Sequence, residues 1–238
     1  MSQVKIFQQE AEHLYNRLKS RKPFAFSKFA DGEWAIITNA AVDNGEFAFD
    51  PKHHKEDRQR LINAYQFVDD GYYVGISCPC CQGRIHYDMR QYCPSDDEHI
   101  TFANIFVNSN YTYYQENFIP EYDNWDVHLV CSRESFVYDL PFDVETYYPV
   151  DNSALRENYK LIEYIKKENL KNKLFLFACG PFGNVLAHQL WEDNKENTYL
   201  DIGSTLNPWL QSEGFKRHYY EGKNAYSARS CVWGQYGV

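Results

Sequence analysis

No apolar run in these 238 residues approaches the ~18 positions that a membrane-spanning helix requires. The stretch from Met1 to Leu18 mixes Gln, Glu, Lys and Arg with apolar residues, unlike the apolar centre of a secretory leader. An unsecreted, cytoplasmic protein with no transmembrane segment is therefore expected. Basic charge is also short: 24 Lys and Arg stand against 33 Asp and Glu, a formal charge of −9. That balance argues against nucleic acid or an anionic membrane surface as a partner, because either needs a dense Lys/Arg face. Internal repeats and low-complexity linkers are absent. The full Gly-x-Gly-x-x-Gly dinucleotide fingerprint is missing too, so a glycine turn in this chain is a weaker phosphate signal than that motif would be.

The cysteines lack the spacing of a zinc motif. There are seven, scattered except for Cys78-Pro79-Cys80-Cys81 with Cys93 nearby, and no second Cys-x-x-Cys pair follows. His86 is the one neighbouring imidazole that could add a ligand. An odd count in a chain long enough to bury its own core fits thiols in a reducing compartment. The spacing alone favours incidental thiols, and hence little bound zinc in the purified protein.

A hydrophobic content of 44% over this length is enough for one sizeable core, so one domain over residues 1–238 is expected. Helical periodicity marks 4–19, 33–42, 56–68, 99–107, 158–168 and 184–191. Short apolar runs at 24–29, 72–77, 127–131, 173–178 and 199–203 read as strands, while 43–54 and 84–97 read as loops. Helices alternating with apolar strands imply an α/β fold, Rossmann-like, with a mostly parallel sheet covered on both faces.

Two strand-to-helix turns carry candidate chemistry. Asp31-Gly32-Glu33 follows the strand that ends near Phe29, which presents two carboxylates where α/β proteins place metal and phosphate sites. Carboxylates one residue apart can converge on a hard cation such as Mn²⁺ or Mg²⁺, whose shell substrate phosphates complete. The plainer reading is a solvated turn, with Asp31 capping the next helix and Glu33 favouring its first turn. The second turn, Cys179-Gly180-Pro181-Phe182-Gly183, opens into a helix whose N-terminal N–H groups and dipole could attract phosphate. Equally, its glycines could serve helix–strand packing alone. Asp201, at the following strand end, could bond a ribose or sugar hydroxyl or simply be a turn residue.

The segment Phe26-Ser27-Lys28-Phe29-Ala30-Asp31-Gly32-Glu33-Trp34 resembles the opening motif of the GT-D-type glycosyltransferases, a family first catalogued as a domain of unknown function. Phe177 to Ala187, followed by Leu200-Asp201-Ile202-Gly203, is similar to that family's Gly-Pro turn, helix and closing strand. The two motifs occur in the family's order and span most of 24–210. The resemblance implies a metal-dependent, hexosyltransferase-like enzyme that moves a sugar from a nucleoside diphosphate donor, UDP-linked, to a hydroxyl of a glycan or glycoconjugate. Asp31 and Glu33 would be the catalytic metal ligands. Ser27, Lys28, Gly180, Pro181, Phe182, Gly183, Asn184 and Asp201 would bind the nucleotide-sugar.

Arg133, after the strand 127–131, is a further candidate for phosphate contact, or a surface ion pair. Residues 214–238 gather Lys216, Arg217, His218, Lys223 and Arg229 with several tyrosines, and read either as a lid over a diphosphate or as an ordinary terminus. Glu33, Asp201, Asp151 and His218 are each chemically able to act as general base for the acceptor. Two other readings stay open: a different nucleotide- or methyl-donor-binding transferase in which Asp31 is only a cap, and a carbohydrate-binding module without turnover.

Overall fold

The computed structural model describes residues 5–43, 47–151, 158–211 and 217–224. Its first helix, α1 (Phe7–Lys19), buries Phe7, Ala11, Leu14 and Leu18 at helical spacing. Strand β1 (Ala25–Lys28) leads into the short α2 (Asp31–Ile37). A two-residue hairpin, β2 (Val42–Asp43) with β3 (Ala48–Phe49), precedes α3 (Lys55–Gln66), β4 (Tyr72–Ile76) and α4 (Pro79–Tyr92). Strand β5 (Ile100–Phe102) is followed by irregular helical turns that include α5 (Tyr111–Tyr113) and α6 (Ile119–Tyr122). Then come β6 (Val127–Ser132), β7 (Thr146–Val150), α7 (Tyr159–Glu168), β8 (Leu174–Ala178), α8 (Pro181–Asp193), β9 (Thr198–Asp201) and α9 (Asn207–Leu210).

Seven strands form one sheet in the order β5-β4-β1-β9-β8-β6-β7, and every pairing in it is parallel. Full burial explains the strands' composition. All five residues of Tyr72–Ile76 and the first four of Leu174–Ala178 are buried, because both sheet faces are covered. One core cluster joins Phe7, Leu14 and Phe26 to Phe106, Tyr114 and Phe118; the other joins Phe29 and Tyr65 to Phe177, Phe182 and Leu186. The expected parallel α/β architecture is observed.

Local assignments differ in four places. Residues 99–107 read as helix, yet Ile100–Phe102 pairs with Val74–Ile76 and closes one sheet edge; a three-residue strand is too short for its period to show. Residues 84–97 read as loop because they are polar, whereas α4 runs through Tyr92 with Met89 as its buried residue. A helix that touches the core so little carries almost no amphipathic signal. α2 stops at Ile37, and Val42 joins the hairpin rather than extending the helix to 42. Strand β7 went unassigned; it is the other sheet edge and contains Pro149, a residue that edges tolerate.

Strand order reverses between β1 and β9. From β1 the chain builds outward through β4 to β5, then crosses and returns through β8 to β9 beside β1. Loops leaving the two carboxyl ends diverge there, opening a crevice of the kind in which α/β sheets bind ligands. Among the described residues no helix is long and apolar enough to cross a membrane.

Candidate active site

A cavity of about 590 Å³ occupies that crevice. Lys28 and the turn Ala30 to Glu33 enter it from β1, Ala178 to Gly180 from β8, and Ile202 to Thr205 from β9. Ser77 and Cys78 beyond β4, with Ala103 and Asn104 beyond β5, complete the wall. Thus five of the seven parallel strands contribute their carboxyl ends.

The acidic turn places both side chains at the cavity but in different states. Asp31 is exposed at the start of α2, while Glu33 is buried and accepts a 2.9 Å hydrogen bond from the Ala30 N–H. Glu33 thereby reaches back to the N-cap of its own helix, the capping role that the plainer reading gave to Asp31, and still lines the cavity. Behind it lies Asp201, which does not line the cavity and is buried beneath the turn. Burial raises the Asp201 carboxyl to about 7, with Glu33 adding to the rise, while the Lys28 ammonium and backbone N–H bonds from Lys28 (3.3 Å) and Gly203 (3.2 Å) oppose it.

Asp31 and Glu33 are hard oxygen donors in the cavity wall, the ligand type that suits Mn²⁺ or Mg²⁺ with substrate oxygens completing the shell. The donor set therefore fits such an ion.

Ser27 and Asn184 stand behind the wall. The Asn184 amide donates to Ser27 Oγ (3.0 Å) and to the Lys28 carbonyl (2.7 Å), which ties the end of β1 to the first turn of α8 and fixes where Lys28 emerges. Lys28 then lies across Gly203 into the cavity.

At the second turn only Gly180 reaches the cavity, together with Cys179 before it. Gly180 has φ 57° and ψ −145°, a backbone region that is essentially glycine's own. Pro181 has no N–H, and the Gly183 N–H is bonded to the Gly180 carbonyl at 2.9 Å. Two of the first three helical positions thus have no donor to offer an anion. Gly183 is pressed against the sheet: an added Cβ would lie 3.2 Å from Phe177 Cβ and 3.4 Å from Asp201 Cγ. Phe182 is buried in the core cluster.

Arg133 is exposed beyond β6, 3.5 Å from Asp151, and neither lines the cavity. This is the surface ion pair that the residue alone suggested. Of Glu33, Asp201, Asp151 and His218, Glu33 is the one among the cavity-lining residues. From the C-terminal segment, 214–216 and 225–238 lie outside the described residues. Its part 217–224 docks at the cavity, with Arg217 and Tyr219 in the wall and Tyr219 OH 2.5 Å from Ser204 Oγ.

Other lining residues were not foreseen. Phe47 sits over both turns, closest to the Gly32 and Gly180 positions. Asn104 and Asn108 follow β5, which the helical reading of 99–107 hid. Cys78 and Cys81 line the cavity as well, and the Cys78, Cys80 and Cys81 ligand atoms lie within 4.8 Å of one another. Cys93 instead packs in the core near the Tyr65 carbonyl, and His86 Nδ1 contacts the Ser77 carbonyl at 2.7 Å.

No family model and no curated protein matches this sequence. Solved structures do match in fold. The chain is similar to a glycosyltransferase from Streptococcus sanguinis containing domain of unknown function 1792, at 17% identity over 86% of this chain and 82% of that one, with a TM-score of 0.59. It is also similar to a structure of the same highly conserved domain, described as having a distinct glycosyltransferase fold, at 17% identity, 82% and 77% coverage and a TM-score of 0.55. A selenomethionine form of that domain matches with the same values. The likeness extends over most of both chains, and what this chain shares with these structures is the fold.

Proposed function

We propose that this chain is a metal-dependent glycosyltransferase that transfers a sugar from a nucleoside diphosphate donor, UDP-linked, to a hydroxyl of a glycan or glycoconjugate in the cytoplasm. The observation that carries this reading is the convergence of Asp31, Glu33, Lys28 and Gly180 on one cavity at the reversal of strand order, in a chain with a glycosyltransferase fold.

Asp31 and Glu33 would hold Mn²⁺ or Mg²⁺ through their cavity-facing oxygens. Such an ion supplies Lewis-acid neutralisation of the departing diphosphate when bound. Lys28 and Arg217 add fixed positive charge in the same wall, where a partly enclosed site strengthens their pull on phosphate oxygens. Ser27 and Asn184 act on the donor through Lys28, by holding its backbone in place. Gly180 lets the backbone approach a phosphate where a side chain would intrude. Phe47, Phe106 and Tyr219 offer apolar faces to a base or sugar ring.

A thermal-shift series with UDP, GDP, CMP and a methyl donor, each with and without Mn²⁺, tests the reading, since a ligand that binds the native state raises Tm. Stabilisation by UDP that depends on Mn²⁺ is expected, and donor hydrolysis should vanish with a chelator. Stabilisation by the methyl donor without metal would replace this reading with a methyltransferase. Glycan binding without any nucleotide response would replace it with a binding module.

A further inference from the structure

We propose that Cys78, Cys80 and Cys81 bind one thiophilic cation, with Zn²⁺ as the ion that best suits them. The inference stands apart from sugar transfer, because it rests on a separate set of ligands and on a different kind of ion.

In sequence the three sulfurs look badly spaced for zinc, but the fold draws them together. Cys78 precedes α4, Pro79 fixes the first helical position, and the helix geometry breaks at Gln82 (φ −142°, ψ 55°), so the chain coils tightly around this corner. Sγ of Cys78 and Sγ of Cys80 are 3.2 Å apart, and those of Cys80 and Cys81 are 4.0 Å apart. Sulfurs bound tetrahedrally to zinc at about 2.3 Å are separated by roughly 3.8 Å, so the observed spacings bracket what a shared ion needs. Among the described residues this is the one group of three or more Cys, His, Asp or Glu side chains within metal-binding reach of one another.

Hydrogen-bond donors also face these sulfurs. The Asn104 amide lies 3.3 Å from Cys78 Sγ and 3.7 Å from Cys81 Sγ, and the Asn108 amide 4.0 Å from Cys81 Sγ. Outer donors of this kind orient ligand sulfurs and offset their charge once a metal has displaced the protons. Soft thiolates select Zn²⁺ or Cu⁺ over the hard ions suited to Asp31 and Glu33. One cavity would thus be bordered by two cation sites of opposite preference. Three protein ligands leave a tetrahedral ion one position for an exchangeable partner, and Cys78 and Cys81 already line the cavity. Occupation would also cross-link the start of α4.

The test uses the full chain, kept reduced and freed of metal, titrated with Zn²⁺ against a chromophoric chelator. Uptake of one equivalent is expected, with Cd²⁺ producing a thiolate charge-transfer band of the same stoichiometry. Cys80→Ser and Cys81→Ser should each weaken uptake by about 100-fold or more, beyond the 10–100-fold that losing an outer-sphere partner costs, whereas Cys93→Ala should bind as the parent does. In the unmodified chain, Zn²⁺ should protect Cys78, Cys80 and Cys81 from alkylation, read by peptide mass spectrometry, so the answer does not depend on any variant folding. No stoichiometric uptake, uptake unchanged by both serine variants, or alkylation of these thiols unaffected by Zn²⁺ would overturn the proposal.

Discussion

The turns after β1 and β8 are built alike and place different groups at the cavity. Each follows a parallel strand, each opens a helix, and they flank the end of β9 from either side. The first delivers side chains: Asp31 and Glu33 both reach the cavity. The second delivers Cys179 and Gly180, then turns its remaining residues inward, with Gly183 against Phe177 and Asp201. The difference follows from the helices they begin. α2 is a short helix with an exposed first residue that packs on α3 and β2, whereas α8 buries ten of its residues and packs on β1, β8 and β9. Held that tightly, α8 has Gly183 in close approach to the sheet, whereas α2 keeps its first residue exposed in the cavity wall.

The largest effect should come from removing the side chains of the first turn. Asp31→Asn and Glu33→Gln are expected to lower metal-dependent transfer by about 10²-fold or more, with little change in the denaturant melt of Asp31→Asn. Full transfer by both purified variants would erase the functional half of the contrast. Gly183→Val probes the other half. Its branched side chain meets Phe177 and Asp201, so overpacking should cost roughly 1–3 kcal/mol of stability, while the folded fraction binds UDP with Mn²⁺ as the parent does. Calorimetric titration beside a urea melt of the same variant checks this, and a selective loss of UDP affinity with stability intact would show that the two turns act alike.

A smaller effect reports on Asp201, which lies between the turns. Its folded carboxyl sits near 7 against 3.8 when unperturbed. Between those values the folded chain keeps a proton that the unfolded chain has lost, so this group's contribution to stability is full below pH 4 and declines as pH rises toward 7. The slope from one proton is at most about 1.4 kcal/mol per pH unit. Asp201→Asn should flatten that decline in urea melts run in chelator from pH 4.5 to 8, and should be the more stable protein at pH 8. An unchanged slope would mean that the carboxyl is not held protonated by burial.

Much of this was legible in the chain itself. The apolar runs at 72–77 and 173–178 determined buried parallel strands, because only a sheet covered on both faces accommodates them. The Asp31 turn was legible for the same reason: an acidic pair that directly follows such a strand has to emerge at a carboxyl end. What Gly183 does was not legible, since glycine serves phosphate approach and tight packing equally well, and only the position of Phe177 and Asp201 decides between them. β5 and α4 escaped because one is too short and the other too exposed for periodicity to register. Sequence order also kept Asn104 apart from Cys78 and Arg217 apart from Lys28, and nothing local links them. Residue types and their spacing determined the five interior strands and where the acidic turn emerges, because burial and strand direction act through neighbours along the chain. Which residues border the cavity and which sulfurs meet was decided by tertiary packing, because those contacts join residues that only the closed sheet brings within reach.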